Sequence, residues 1–203
     1  MIKILQPLYT PEARTKRNEK CVGALLQDPR FTFSACVGHS FIAHARNILV
    51  TDNTSRKKHQ SLDKKISHYL MIDGDVDGFT LADVDRMIGH DVDIISGAYP
   101  LKDKPLVICA GAFVPGQPGL VGSRYGRDLL RGKQCVDWVG AGFLLIRREA
   151  LEHMDYPWFR EVMVDFGEGE QDTSTEDIGF CVQAQRAGIE VWCDFDVRLN
   201  HRK

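Results

Sequence analysis

The sequence predicts an α/β protein, a single Rossmann-type domain with a mostly parallel central sheet flanked by helices and a small antiparallel hairpin element. Strand-like apolar runs alternate with helix-like segments along most of the 203 residues. Such alternation favours parallel strands that are joined by crossover helices. The length suits one domain, and a composition of 43% hydrophobic and 27% charged residues is typical of a globular protein.

The first half of the chain is predicted to hold four strands and three helices. The predicted strands are the short apolar runs at residues 2–9, 31–37, 69–72 and 93–99. The predicted helices have helical apolar spacing or a capping residue at their start, and they span residues 11–27, 40–51 and 81–88. The polar and basic stretch 54–63 is predicted to be a loop or a loosely held helix.

The second half begins with irregularly spaced Pro and Gly at residues 100–136, which indicate hairpins and loops. A strand at 138–146 and a helix at 148–154 follow. Residues 157–173 are acidic and contain glycine, so we expect a mobile loop there. A helix at 175–187, ended by Gly188, and a strand at 189–194 complete the prediction.

Composition excludes several classes of protein. The net charge of −2 gives no overall basic footprint for nucleic acid, and the basic patches 14–20 and 56–58 are typical of solvated faces. No apolar run has transmembrane length, and the N-terminus has no signal-peptide pattern. The six cysteines show no zinc-binding spacing. We therefore expect reduced thiols and a cytoplasmic location.

Three aspartates follow the predicted strand at 69–72, in the stretch "HYLMIDGDVDG". Asp73, Asp75 and Asp77 are spaced two apart, and like charges this close need a positive partner. Asp73 and Asp75 can converge on one ion, and Mg²⁺ or Mn²⁺ often uses one or two carboxylates together with substrate phosphates. The pattern therefore indicates a metal-bridged nucleoside diphosphate site. A polar turn after a strand is the simpler alternative.

Five segments, in order, resemble those of the GT-A-fold glycosyltransferases, especially the small bacteriophage and bacterial members. "HYLMIDGDVDGF" resembles their Asp-x-Asp segment, and "HARNILV" resembles the Arg-Asn helix before it. "DWVGAGFLLIRREALEHM" is similar to their later strand and helix. "STEDIGFCVQAQRAGIEVWCD" is similar to the Glu-Asp helix that carries the base in inverting members, and "RLNH" to the terminal metal-binding His.

The resemblance implies a metal-dependent hexosyl- or pentosyltransferase with an inverting reaction. Residues 1–203 would form one catalytic domain, with a nucleotide-binding half at about 1–100 and an acceptor-side half at about 101–203. The implied cofactor is Mn²⁺ or Mg²⁺, bound by Asp73, Asp75 and His201. Asp177, favoured over Glu176, would be the general base. The expected donor is a UDP-sugar, bound by Pro7, Tyr9, Arg46, Asp73, Gly74, Asp75, Lys102, Trp138, Gly140, Ala141 and Gly142.

Several of these residues also have a purely structural interpretation. Gly140, Ala141 and Gly142 permit close approach of a sugar ring or of a neighbouring strand. Glu176 and Asp177 in a first helical turn complement the helix dipole, which also favours the ionised carboxylate. Arg46 and Lys102 are either phosphate contacts or members of surface ion pairs.

Two other functions share some of these features. A nucleotidyltransferase uses the same sheet and metal carboxylates, but usually has a Gly-rich basic loop after the first strand; here that place is "PLYTPEARTK". A non-catalytic nucleotide-binding module is the second alternative.

The acceptor is expected to be a glycan or a modified DNA base. The oligomeric state is left open, and the location is a host cytoplasm if a phage encodes the protein.

Overall fold

The structure is a computed structural model that describes residues 1–52, 62–102, 104–114, 116, 124–126 and 130–202. The predicted polar segment 54–63 lies outside these residues apart from 62 and 63, and the basic patch 56–58 lies outside them entirely. Part of the predicted hairpin region 100–136 also lies outside.

The described part of the chain contains five α-helices and one 3₁₀ turn, Pro11–Ala13. The helices are α1 (Lys16–Leu25), α2 (Ile42–Val50), α3 (Leu81–Gly89), α4 (Arg148–His153) and α5 (Glu176–Arg186). Thr15 caps α1 by accepting from the Asn18 backbone N–H at 3.1 Å, and a capping box of Thr80 and Asp83 starts α3. In this part of the chain no helix is long and apolar enough to cross a membrane.

The strands are short, and the four predicted in the first half of the chain lie close to their predicted positions. They are β1 (Ile2–Leu8), β2 (Phe31–Val37), β3 (His68–Ile72), β4 (Val76–Asp77), β5 (Ile94–Ala98), β6 (Pro100–Leu101), β7 (Lys104–Gly111), β8 (Arg124–Gly126), β9 (Lys133–Val136), β10 (Trp138–Val139), β11 (Phe143–Arg147), β12 (Met163–Asp165), β13 (Gln171–Thr173), β14 (Val191–Arg198) and β15 (Asn200–His201).

The central sheet has seven strands in the order β2-β1-β3-β11-β5-β14-β9. Strands β2, β1, β3, β5 and β14 run in one direction, while β11 and β9 run in the other. The sheet is therefore mixed, with most strands parallel as predicted. Strand β11 lies antiparallel between β3 and β5, so its first residues meet the carboxyl end of β3, where the aspartates follow.

Both faces of the sheet are covered by helices. Successive strand residues face opposite sides, so Leu5 and Met71 belong to one apolar cluster, with residues of α2, α4 and α5. Ile4 and Leu70 belong to a second cluster, with residues of α1 and α3. The two layers of helices hold the strand ends in place. All six cysteines have free thiols.

The single strand predicted at 138–146 is wrong. The strand is interrupted at residues 140–142. Strand β10 pairs with β7 in a small sheet, and β11 belongs to the central sheet. Glycine is needed at this break for close packing, because an added Cβ at Gly140 would lie 2.1 Å from the hydroxyl oxygen of Tyr99. The apolar run concealed the break because both strands are buried.

The expected mobile loop at 157–173 is also largely wrong. Trp158 and Phe159 are buried, and the Trp158 indole N–H donates to the Leu151 carbonyl at 2.8 Å. Strands β12 and β13 form an antiparallel hairpin, and Phe166 beyond β12 is buried as well. Exposure is concentrated in the acidic tip at 167–173. The apolar residues between the acidic ones anchor the segment.

Candidate functional site

Each of the three aspartates after β3 is neutralised by a different cation of the protein. Asp73 pairs with Arg46, Asp75 with Lys102 and His201, and Asp77 with Arg202. The positive charge that the aspartate cluster requires therefore comes from three separate parts of the chain, at residues 46, 102 and 201–202. The three pairs differ in burial and in the flexibility of the cation, so they differ in what they can do.

Asp77 has a structural role. Its side chain is 2% exposed, and its carboxylate accepts from the Asn200 amide at 3.0 Å and from Arg202 Nε at 2.6 Å. Strand β15 pairs with β4 in the register that places His201 opposite Val76. Asp77 therefore holds the segment that carries His201.

Asp75 lies between two cations. Lys102 Nζ is 2.5 Å from Oδ2, and His201 Nε2 is 3.4 Å from Oδ1. His201 Nδ1 lies 2.9 Å from the Pro100 carbonyl oxygen, which only accepts hydrogen bonds, so Nδ1 carries a proton. A proton on Nε2 as well makes the ring a cation that faces Asp75, and without that proton the Nε2 lone pair is available to a metal ion. An orienting hydrogen bond on the other ring nitrogen is the arrangement found in metal-binding histidines.

The pKa values of this pair shift in opposite directions. Burial works to raise the pKa of Asp75, but hydrogen bonds from His201 and Lys102 outweigh it and hold that pKa below its ordinary value. Burial works to lower the pKa of His201, but the Asp75 carboxylate and the Pro100 carbonyl raise it overall. The pair therefore attracts a cation, either a proton on His201 or a metal ion.

Arg46 joins the two sides of the site. It is buried on α2, and it donates to Asp73 Oδ1 and Oδ2 at 2.8 and 3.1 Å and to Glu176 Oε1 at the start of α5. Burial works to lower the pKa of Arg46, but the nearby acids Asp73 and Glu176 outweigh it and raise that pKa. Its Nε is buried without a hydrogen-bond partner among the described residues. The guanidinium thus fixes the end of β3 relative to the start of α5.

Glu176 and Asp177 have different surroundings, although they are neighbours in the first turn of α5. Burial raises the pKa of Glu176. The Arg46 charge works to lower that pKa and the Asp177 charge works to raise it, and the net shift is upward. Asp177 is partly exposed and accepts from the Thr175 hydroxyl and, at 2.9 Å, from the Ile178 backbone N–H. Neither of those partners is a cation. Asp177 is therefore the carboxylate with freer access to a ligand.

The loop that carries Asp73 and Asp75 is held from behind by Asn18. This buried amide donates to the carbonyls of Asp73 and Val76 at 3.0 and 2.7 Å, and it accepts from Gln6 at 2.9 Å. The Gly74 carbonyl accepts from the Thr15 backbone N–H at 2.8 Å. An added Cβ at Gly74 would lie 2.6 Å from Leu8, so glycine is needed for this contact.

The 140–142 segment packs beside the aspartates. The Asp73 backbone N–H donates to the Gly142 carbonyl at 2.9 Å, and the Gly142 N–H donates to the Tyr99 hydroxyl at 2.8 Å. The Tyr99 ring also meets His201 edge-on at 5.5 Å. The two glycines are therefore explained by packing against Tyr99, which was the structural alternative, and Ala141 is buried with them.

No protein-family model matches the chain, and no curated protein is significantly similar to it.

A solved structure shares its fold. The crystal structure of A197 from STIV covers 100% of this chain and 95% of its own, with a TM-score of 0.60 and 15% identity. The chain has the fold of that protein. A Drosophila β-1,4-galactosyltransferase 7 mutant, in a complex with manganese, UDP-Gal and xylobiose, covers 99% of this chain and 71% of its own at 13% identity. Its TM-score of 0.47 is too low to establish a shared fold.

The Asp75 carboxylate and the His201 ring nitrogen could bind a divalent cation whose remaining ligands come from a substrate or water. Neighbouring ligands on an octahedral Mg²⁺ are about 3 Å apart, since each lies roughly 2.1 Å from the ion, and Asp75 Oδ1 and His201 Nε2 are 3.4 Å apart. Among the described residues no three His, Cys, Asp or Glu side chains converge on one point. Asp73, the third predicted ligand, is engaged by Arg46.

Three predicted donor-binding residues lie outside this cluster. Pro7 is buried within β1, and Tyr9 is exposed just after it, on the same edge of the sheet as the aspartates. Trp138 is buried against Gly111. Its ring has little free surface, so the structure does not support Trp138 as a donor-binding residue.

Sequence reasoning missed Asn18, Tyr99 and Arg202. Asn18 carried a usable signal, because it lies four and seven residues before the buried Val22 and Leu25 and so shares their helix face. Nothing in the local pattern distinguished Tyr99 and Arg202.

A cavity of about 440 Å³ lies at the other end of β3, near His68. Arg147 borders it and pairs there with Asp91 at 2.5 Å and with Asp93 at 3.6 Å. None of the predicted site residues lines this cavity. Its Arg147 already has two acidic partners.

Proposed function

We propose that this protein is a metal-dependent glycosyltransferase that moves a sugar from a nucleoside diphosphate sugar to an acceptor hydroxyl, with inversion. The observation that carries the proposal is the bridge from Asp73 through Arg46 to Glu176. It joins a strand-end carboxylate cluster, suited to a metal diphosphate, with a helix start that offers a candidate base. The resemblance of five sequence segments to GT-A enzymes supports the same conclusion.

Asp75 and His201 would hold Mn²⁺ or Mg²⁺, with Asp73 as a further candidate ligand. The bound ion supplies Lewis-acid stabilisation of the negative charge that builds on the leaving diphosphate. Open α/β sheets bind ligands beyond the carboxyl ends of their strands, which is where β1 and β3 both end. A UDP-sugar is the proposed donor, and Tyr9 and Lys102 are proposed donor contacts.

Asp177 is the proposed general base. Arg46 engages Glu176, which leaves Asp177 as the carboxylate without a cationic partner among the described contacts. Asp177 would accept the proton of the acceptor hydroxyl while the hydroxyl oxygen attacks the anomeric carbon. Attack on the face opposite the leaving diphosphate gives inversion. The proposed acceptors are a glycan or a modified DNA base.

Calorimetry with UDP, with and without Mn²⁺, tests the binding step. We expect UDP binding that requires Mn²⁺ and is lost in Asp75→Asn, while the exposed control Asp155→Asn binds as wild type. A panel of sugar nucleotides is then tested for slow release of free sugar. Release of sugar supports a transferase. Synthesis of a sugar nucleotide from a sugar phosphate and a nucleoside triphosphate would instead support a nucleotidyltransferase.

A further inference from the structure

We propose that Lys102 is an exchangeable counter-ion of Asp75, which a divalent cation displaces and which then pairs with the donor's phosphates. This inference rests on the proposed function. Without metal, the Lys102 ammonium would neutralise Asp75. With metal and donor bound, it would contact the donor's phosphates instead.

The three aspartate pairs differ in how easily they can exchange. Arg46 has 4% of its side chain exposed and is held by two acids, so it cannot leave Asp73 without uncovering buried charge. Asp77 is buried and locked to β15. The Lys102 side chain is 46% exposed, and lysine is a flexible point charge on a long stem. Only the Asp75 pair combines an accessible cation with a metal-suited donor set.

Charge balance favours the exchange. Asp75 carries one negative charge and already faces Lys102 Nζ at 2.5 Å and the His201 ring at 3.4 Å. A divalent ion at the same carboxylate repels the ammonium strongly at such short distances. The donor diphosphate carries more negative charge than the carboxylate that Lys102 leaves. The ammonium therefore gains a stronger partner when metal and donor are both present.

The position of Lys102 suits this movement. It directly follows β6, next to the turn that leads into β7. The same strand supplies the Pro100 carbonyl that orients His201. One short hairpin thus holds the proposed metal-binding ring in place at Pro100 and presents the mobile cation two residues later.

The test measures Mn²⁺ affinity by calorimetry, and by the loss of the free-ion EPR signal, in wild type, Lys102→Met and Lys104→Met. Methionine keeps the stem and removes the charge. Lys104, exposed on the same hairpin, is the matched control. We expect Lys102→Met to bind Mn²⁺ about two- to fivefold more tightly, on the scale of a partly exposed ion pair. Lys104→Met should match wild type.

A second measurement uses UDP at saturating Mn²⁺. Here Lys102→Met should bind UDP at least about threefold more weakly, because a phosphate contact is lost. A tighter metal site together with a weaker nucleotide site is a combination that a merely structural lysine does not produce. Melting curves of both variants verify that the fold is intact.

The outcomes separate this inference from the proposed function. Suppose that wild type binds Mn²⁺ and Asp75→Asn does not. If Lys102→Met then binds Mn²⁺ no more tightly than wild type, the exchange is overturned and the metal site is retained. Absence of Mn²⁺ binding in wild type, or unchanged binding in Asp75→Asn, overturns both the exchange and the metal assignment.

Discussion

Arg202 Nε donates to Asp77 Oδ2 across 2.6 Å, which ties strand β15 to the loop after β3. The ion pair connects residues that are 125 positions apart in the chain. It also brings His201 beside Asp75, since His201 lies between Asn200 and Arg202, and both of these neighbours contact Asp77. Asp77 therefore supports the candidate metal site without belonging to it.

Replacing Asp77 with Asn should lower the free energy of unfolding by about 1–2 kcal/mol. The variant loses a charge-assisted hydrogen bond, and the partial exposure of Arg202 moderates the cost. Urea unfolding monitored by circular dichroism measures the change. The exposed control Asp155→Asn should stay within about 0.5 kcal/mol of wild type. Equal midpoints for both variants would contradict a structural role for Asp77.

Replacing Asp177 with Asn should reduce sugar transfer by about 10²-fold or more, because the amide keeps the shape but cannot take a proton. Affinity for UDP with Mn²⁺ should barely change. The exposed Asp172→Asn in β13 is the control and should transfer sugar as wild type does. A large loss of UDP affinity with little loss of turnover would place Asp177 on the donor side instead.

Trp158 should stabilise the fold strongly, since its side chain is buried and its indole N–H is satisfied by Leu151. Trp158→Ala should reduce the free energy of unfolding by about 3–5 kcal/mol. Phe41, which is 77% exposed, provides the aromatic control, and Phe41→Ala should change stability by less than about 0.5 kcal/mol. Similar unfolding midpoints for the two variants would restore the view of 157–173 as a free loop.

Asp194 should make stability depend on pH in the acid range. It is fully buried on β14, and Arg86 Nε and His90 Nε2 lie 2.6 and 2.7 Å from its carboxylate. Burial works to raise its pKa, but these partners outweigh burial and hold the pKa below the ordinary value. A depressed folded-state pKa gives stability that is present above the unfolded-state pKa of about 3.9 and is lost as pH falls below it.

Urea unfolding of wild type, Asp194→Asn and Asp196→Asn at several pH values tests this. Asp194→Asn should be the least stable near neutral pH, and its stability should fall less than that of wild type below about pH 4. Asp196, whose side chain is more exposed and contacts Arg86 at 3.0 Å, should have a smaller effect. Parallel stability curves for wild type and Asp194→Asn would show that Asp194 does not account for the acid sensitivity.

The local pattern predicted most elements well. Strand 31–37 was predicted with the observed bounds, and helix 81–88 differs from α3 by one residue. These elements have strong apolar periodicity or a capping residue, which are properties of short stretches of chain. The strand at 138–146 failed because an apolar run cannot reveal that its two ends pair with different sheets.

The sequence by itself determined the presence and order of the acidic clusters, since Asp73, Asp75, Glu176 and Asp177 are recognisable from their positions at the end of a strand and the start of a helix. Only the tertiary structure decided their partners. Ion pairs such as Arg46 with Glu176 and Lys102 with Asp75 join elements distant in the chain. Their geometry depends on the packing of β1, β3, α2 and α5, and no local pattern of residues encodes that packing.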